Sequence, residues 1–501
     1  MFFGTFGNTD LTVSERELSG LELSALKKLK LSGNLEQDAA LFQSVFDKDF
    51  TLKIRFVDCK TAQYRFCVIF FDGMIANTLV DHHVLHPLSQ CDGRVPLSNM
   101  EDVARYILTT DQAVVTDDLH TAVSAMLYGD TLILMDGSKH LIAASTKGFQ
   151  IRSVSEPDAE KLVRGPREGF TEAVMINTSL LRRKLQTPDL KFDLRTIPGE
   201  TNVRICLCYL ASVVDRSVLR DLDKRLEHIT ADALLDSNCL TEMIRDRTYS
   251  PFKTIGSTEK PDIAAAKLLE GKVVIMVDGT PVALTLPFLF LEYFQKGDDY
   301  YTNYIYGSVS RLLRILGFFL SVSVPSIYLA LVTYHYEIIP TKLLLSITAA
   351  RQGVPFPTLL EMLLLLAAFE LLREAGAMMP ASVGQALSTV GAIVVGQAAV
   401  EARIVSAPMV IILALTGLTG MMSPKMQSSV LILRLVFLIL AAFLGLYGYL
   451  FGVCILLLYL MSKKSFGIPY LSFLTLNNWR DLRDTLLRMP QQYKNRSGEH
   501  K

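Results

Sequence analysis

The chain has 501 residues, half of them apolar, and its 50 Lys and Arg balance 50 Asp and Glu to a formal net charge of zero at a mean hydropathy of +0.32. That composition excludes a disordered chain, a small disulfide scaffold and a globally basic nucleic-acid binder, so no nucleic-acid partner is expected. The charges are unevenly placed: the first 310 residues hold 34 basic and 42 acidic groups and the remaining 191 hold 16 and 8, which points to an acidic soluble half ahead of a sparsely charged membrane half.

The first residues, MFFGTFGNTDLTVSEREL, have neither the basic start nor the apolar core of a secretory signal, and no run of about 20 apolar residues occurs before residue 310. The first half is therefore expected to stay in the cytoplasm. Seven cysteines without CxxC spacing suit a reducing compartment. Cys206 and Cys208 alternate in a strand-like run and should share one face, as core packing. Asp81, His82, His83 and His86 could touch a metal, but no Cys or carboxylate set completes a site, so no metal or cofactor is expected.

An internal repeat follows. AVSAMLYGDTLILMDGSKHLIAAS from Ala122 lies over AAAKLLEGKVVIMVDGTPVALTLP from Ala264 at a constant offset of 142 residues. Each reads as an apolar helix, a Gly stop, a strand, an Asp-Gly turn and a second strand. Gly129 and Gly271 sit where a helix needs a C′ residue, and the turns at Asp136-Gly137 and Asp278-Gly279 suggest type I′ hairpins. Upstream runs near Cys67 and Cys206 keep almost the same offset, so two similar α/β lobes are expected. Between them Arg164, Arg167, Arg182, Arg183 and Lys184 form either an anion-binding or lobe-coupling surface or the solvated face of a linker helix. No Walker A, GxSxG, HExxH or dinucleotide fingerprint occurs, and an enzyme is not expected.

Residues 315–336, 375–400, 404–424 and 435–462 are free of charge and each exceeds the length that crosses a hydrocarbon core. Eight Lys and Arg follow Ser462, and Arg311 with Arg314 precedes the first span; both ends should be cytoplasmic, which four crossings satisfy. A further apolar segment from Pro355 to Gly376 carries Glu361, Glu370, Arg373 and Glu374. Its residues Leu363, Ala367, Glu370 and Glu374 recur at steps of four, three and four on one helical face, the pattern of a pore-lining or re-entrant helix. An interfacial helix with Glu370 paired to Arg373 would read the same way. Gly384, Ser388, Ala392 and Gly396 then form a small-residue seam for helix packing, flanked by Gln385 and Gln397 and closed by Glu401 and Arg403. Those polar groups suit contacts within or between subunits equally.

These readings give a mixed α+β and α-helical membrane protein, two similar α/β cytoplasmic lobes followed by an α-helical transmembrane bundle. Its parts are an N-terminal extension (1–45), a first lobe (46–150), a connector (151–194), a second lobe (195–310), a transmembrane domain (311–462) and a basic cytoplasmic tail (463–501).

Successive motifs from Val163 to Phe473 carry a family resemblance: VRGPREGF from Val163, YSPFKTIGSTEKPD from Tyr249, LLEGKVVIMVDGTP from Leu268, DDYY from Asp298, ARQGVPFP from Ala350, FELLREAG from Phe369, GQAAVEARIVS from Gly396 and SFGIPYLSF from Ser465. The chain resembles the A subunits of GerA-type spore germinant receptors of endospore-forming bacteria. The resemblance implies a multi-pass protein of the inner spore membrane that works with a multispanning, nutrient-binding B-type subunit and a C-type lipoprotein. It further implies a homo-oligomeric ring, a pentamer, that conducts cations across the lipid bilayer when nutrient binds. Arg164, Arg167 and Asp262, which lie in the first two motifs, are the candidate lobe-coupling residues. Three positions depart from the family pattern: Leu366 replaces a frequent second acid, Gly256-Ser257 replaces Arg-Tyr, and Arg403 stands where a small residue is usual. A secondary transporter subunit and a non-conducting signalling scaffold are the competing functions.

Overall fold

A computed structural model gives the fold, and the residues it describes are 26–471 together with residue 488, except 28, 61–63, 92–96, 98, 149–164, 200–201, 230–233, 247–248, 379–393 and 395. The chain divides into two compact units: one runs to Thr248 and resumes over Ile255–Pro287, the other takes Tyr249–Thr254 and the described residues from Phe288 on.

The first unit contains two lobes of one topology. Lobe 1 has helix α1 (Leu35–Val45), strands β1 (Leu52–Asp58), β2 (Arg65–Phe71) and β3 (Ala113–Thr116), helix α2 (Leu119–Leu127), and strands β4 (Thr131–Met135) and β5 (Leu141–Ala144). Lobe 2 repeats it with α3 (Val174–Lys184), β6 (Leu190–Thr196), β7 (Arg204–Leu210), β8 (Gly256–Thr258), α4 (Pro261–Leu269), β9 (Val273–Val277) and β10 (Ala283–Leu286). The sheet orders, β1-β2-β4-β5-β3 and β6-β7-β9-β10-β8, correspond strand for strand, and every pairing is antiparallel. The lobe-1 sheet is covered on both faces, so β2 reads as a continuous apolar run rather than an alternation. Cys67, Ile69 and Phe71 point to the core formed with α1 and α2; Phe66 and Val68 point to the opposite one. Cys206 and Cys208 likewise share the core face of β7, both fully buried, with their sulfurs 3.8 Å apart. Helix α1 packs into the lobe-1 core although its residues precede position 46.

Both glycine stops end their helices as expected. Gly129 (φ 101) and Gly271 (φ 80) donate to Met126 and Leu268 at 3.0 Å, and the next residues, Asp130 and Lys272, reach back to Ala125 and Lys267, the paired bonds of a Schellman motif. The Asp-Gly turns differ from the expected type I′ geometry. Of each pair only the glycine has positive φ, and Ser138 and Thr280 donate to Met135 and Val277, which puts Gly137 and Gly279 at the third turn position, where a type II turn requires it. The aspartates have a longer-range task. Asp136 accepts from the N–H of Leu35, the first residue of α1, and Asp278 accepts from Val174, the first residue of α3. Each turn thereby caps the helix that opens its own lobe.

The second unit is helical: α5 (Tyr304–Thr333), α6 (Thr341–Arg351), α7 (Thr358–Met378), α8 (Ala407–Met421) and α9 (Gln427–Ser462), followed by a two-stranded turn at Lys464–Ser465 and Ile468–Pro469. Helix α9 corrects the expected single span over 435–462. Its backbone leaves helical geometry at Gly445 (φ 59, ψ −138) and turns back: the rings of Phe437 and Tyr449, which a straight helix would hold about 18 Å apart, are 5.7 Å apart. A Cβ on Gly448 would lie 2.1 Å from the Leu440 carbonyl oxygen. Glycine is therefore required at both positions, at Gly445 by its dihedrals and at Gly448 by the close approach. The two arms, 427–444 and 446–462, each rise about 26 Å, close to a hydrocarbon core. By length and apolarity α5 and the segment containing α9 qualify as membrane helices, and α8 is a shorter apolar helix.

Candidate functional site in the helical unit

Of the basic cluster that the sequence offered for lobe coupling, one member makes the junction. Arg164 lies outside the described residues, Arg167 is exposed, and Asp262 is half-buried in the first turn of α4. The charge between the lobes is Arg182 of α3, 1% exposed and paired with Asp49, just ahead of β1. Its guanidinium stacks 4.1 Å from the Phe71 ring of lobe 1 and 4.8 Å from the Phe192 ring of lobe 2. Lys191 of β6, also buried, donates to the Val45 carbonyl at 3.0 Å. Burial pulls the Arg182 and Lys191 basicities down, and Asp49 opposes this in both. A solvated linker face is thus corrected at Arg182, while Arg183 and Lys184 pair at the surface with Glu168. His83 bonds Thr109.

In the helical unit the polar face of α7 meets a cation that the span reading had left at a span boundary. Arg434 is 4% exposed and sits on the first arm of α9. Pro325 inside α5 has no N–H to give to the carbonyl four residues back, that of Ser321. Arg434 Nε takes that carbonyl at 3.1 Å and its Nη2 donates to Ser321 Oγ at 2.8 Å. Its Nη1 reaches Glu370 Oε1 at 3.5 Å, and the other Glu370 oxygen pairs with Arg373 Nη2 at 2.6 Å. Two glycines of α8 make room: a Cβ on Gly420 would meet Ser321 Oγ at 3.1 Å, and one on Gly417 would lie 2.7 Å from the Phe369 ring. Four helices converge on one carboxylate held between two guanidiniums. A proline inside an apolar span, with an arginine inside another, was the signal available in the sequence.

The expected one-face set divides. Leu363 and Glu370 are half-buried toward the bundle, whereas Ala367 and Glu374 are exposed. They share an open stripe with Leu360, Leu364, Leu371 and Met378. Near the start of α7, fully buried Glu361 accepts from both the N–H and the hydroxyl of Ser406 at 2.6 Å, placing a carboxylate at the N-terminus of α8 where the helix dipole favours it. Of the seam, Gly384, Ser388 and Ala392 lie outside the described residues. Gly396 is half-buried, with Gln397 and Glu401 exposed. A Cβ on Gly396 would meet Val410 at 3.8 Å, ordinary contact, so no close approach within the chain demands glycine there. Arg403 has φ 53, a backbone state that costs about 1–2 kcal/mol outside glycine.

Three cations expected to be flanking charges are internal. Arg311 and Arg314 lie within α5 and both face Asp299, which is 3% exposed. Lys463, counted as the first residue of a basic tail, is 1% exposed and its Nζ sits 5.0 Å from the centre of the Tyr470 ring.

A family model described as Bacillus/Clostridium GerA spore germination protein matches residues 40–499. The chain belongs to the GerA family. Among its GerA-family relatives, spore germination protein KA of Bacillus subtilis (strain 168) is 38% identical over 425 residues, covering 84% of this chain and 78% of that protein. Spore germination protein GerLA of Bacillus cereus is 32% identical over 467 residues, 93% of this chain and 95% of the relative. The crystal structure of the N-terminal domain of the A subunit of the Bacillus megaterium spore germinant receptor GerK3 is similar at a TM-score of 0.43 and 26% identity, over 52% of this chain and 98% of that one. In this GerA-family chain the motif FELLREAG supplies Glu370, Arg373 and Glu374, and DDYY supplies Asp299.

Proposed function

We propose that the protein is the A-type subunit of a spore nutrient receptor and that copies of its helical unit assemble in a ring, as a pentamer, around a cation path lined by α7. In this reading a multispanning B-type subunit binds the nutrient, a C-type lipoprotein completes the complex, and the lobed unit and the chain's end lie in the cytoplasm. The observation that carries it is the open stripe of α7: an apolar face, Leu360, Leu364, Ala367 and Leu371, that ends in the exposed carboxylate Glu374. Repeated around a ring, such a stripe gives an apolar constriction beside a ring of negative charge, which concentrates cations and excludes anions. Gln385 and the small-residue seam from Gly384 to Gly396 would serve the contacts between helices. An even number of crossings would keep both ends on one side.

The ion pairs of Glu370 favour a second reading in which that residue is structural and the chain anchors other subunits without conducting. Nutrient-triggered cation flux in liposomes holding the whole complex separates the two. Glu374→Gln is expected to lower flux severalfold with assembly intact, while Glu370→Gln acts through stability. Unchanged flux in Glu374→Gln, with triggering retained, would remove α7 from the path.

A further inference from the structure

Residues 249–254 interrupt the second lobe: they lie between its helix Ser237–Ile244 and its strand β8, yet belong to the helical unit. Their backbone is taken up there almost atom by atom. The carbonyl of Pro251 accepts from Ser429 Oγ at 2.5 Å, that of Phe252 from Lys463 Nζ at 2.6 Å, that of Lys253 from the Tyr470 hydroxyl at 2.7 Å and that of Thr254 from Ser465 Oγ at 2.8 Å. The Lys253 N–H donates to the Tyr293 hydroxyl at 2.7 Å. Four consecutive carbonyls thus meet donors from both ends of α9 and from the turn after it. An apolar contact can slide, whereas these bonds fix the segment residue by residue.

Lys463 is the centre of this arrangement. It follows the last residue of α9, and its ammonium also bonds Ser250 Oγ. It lies within 6.0 Å of the ring centres of Phe252, Tyr459 and Tyr470, an aromatic surround that stabilises a desolvated cation. Burial and the adjoining Tyr293 hold the Tyr470 phenol far above its ordinary range, so it stays a donor.

We infer that Ser250–Thr254 is a strap through which movement of the end of α9 is passed to the outer strands of lobe 2, with Lys463 as its latch. Covalent geometry carries the inference. The strap runs into β8 after one residue, Ile255. Strand β10, the partner of β8, ends at Leu286, with only Pro287 between it and Phe288, where the helical unit resumes. The N–H of Phe288 bonds the Thr254 carbonyl at 3.2 Å, so the two strands leave the sheet from a single fixed point. A shift of the latch displaces both together. The strap makes α9, rather than the ion-path helix α7, the element that the lobes follow, and it stands whether or not α7 conducts.

Hydrogen exchange of the full-length protein in detergent or nanodiscs tests this. Lys463→Met removes the ammonium and keeps the stem. It is expected to speed exchange at Phe252, Lys253 and at β8 and β10 by tenfold or more, with β1, β2 and the first arm of α9 unchanged, and Lys463→Arg is expected to restore most of the protection. If Lys463→Met does not fold, Tyr470→Phe, which removes one bond, should give the same pattern at smaller amplitude. Faster exchange confined to the strap, with β8 and β10 as protected as in the parent, would overturn the coupling. So would unchanged exchange throughout, or an increase spread evenly over lobe 1 and the helices.

Discussion

The lobed unit and the helical unit bury charge in different settings. Each lobe is closed by an apolar core that sits on its sheet, and the prominent internal ion pair, Arg182 with Asp49, lies where the two lobes meet. The helical unit instead carries Asp299 with Arg311 and Arg314, Glu370 with Arg373 and Arg434, and Glu361 at the start of α8. Apolar cores such as those on the sheets are driven together by removal of apolar surface from water. In the membrane setting proposed for the helical unit that force would be missing, and close glycine contacts and polar pairs would have to supply the specificity. The difference teaches where each unit should break.

The largest effect is expected at the fold-back of α9. Gly448→Val would drive its Cβ into the Leu440 carbonyl, and the loss should exceed about 4 kcal/mol, the range of exceptional single substitutions. Limited proteolysis should then cut the helical unit while the lobes remain resistant; a parent-like digest would show that the arms do not pack as described. Next comes the lobe junction. Arg182→Met leaves Asp49 buried without its partner and should cost about 3–5 kcal/mol, measured as a lower thermal transition of the lobed unit alone. Adding Asp49→Leu should recover most of that cost, because a well-packed apolar pair can replace a buried ion pair. Absence of recovery would mean that Asp49 matters chiefly through its bonds to Thr51.

A smaller effect depends on pH. Burial in the lobe-1 sheet pushes the Cys67 thiol from 9.0 to about 12. The folded state keeps its proton where the unfolded chain loses it, so the unfolded state binds fewer protons and stability falls as pH rises through that interval. The slope from this group is at most about 1.4 kcal/mol per pH unit. Cys67→Val should flatten the decline of the lobed unit's unfolding temperature above about pH 9 and leave the helical unit unaffected. An identical decline in parent and variant would assign it to other groups.

How far each unit was legible follows the same divide. The duplication could be read because each lobe repeats helix, Gly129 or Gly271, strand, turn and strand at one offset, and Gly at C′ has a local cause. The turn type is not legible in the Asp-Gly pair itself, which also fits a two-residue hairpin, whereas each loop spans five residues, 136–140 and 278–282, and the aspartate faces a helix start about a hundred residues away. Arg182 could not be assigned from a basic cluster, since its partner Asp49 is distant in sequence. In the helical unit the continuous apolar run 435–462 hid the reversal: Gly445 and Gly448 look like packing glycines until their dihedrals and contacts are known. The carboxylates of α7 are visible in the sequence, but Arg434 stands immediately before the charge-free run and so looks like a flanking charge.

The claim that α7 lines the path can be tested most directly by thiol access. In a Cys454→Ser background, which removes the exposed native thiol, Leu371→Cys places a reactive group on the open stripe and Leu365→Cys places one in the bundle core. A charged, membrane-impermeant thiol reagent is expected to block nutrient-triggered cation flux through the reconstituted complex at Leu371→Cys, faster with nutrient present, and to leave Leu365→Cys conducting. Modification of Leu371→Cys without loss of flux, or equal block at both positions, would contradict a path along this face.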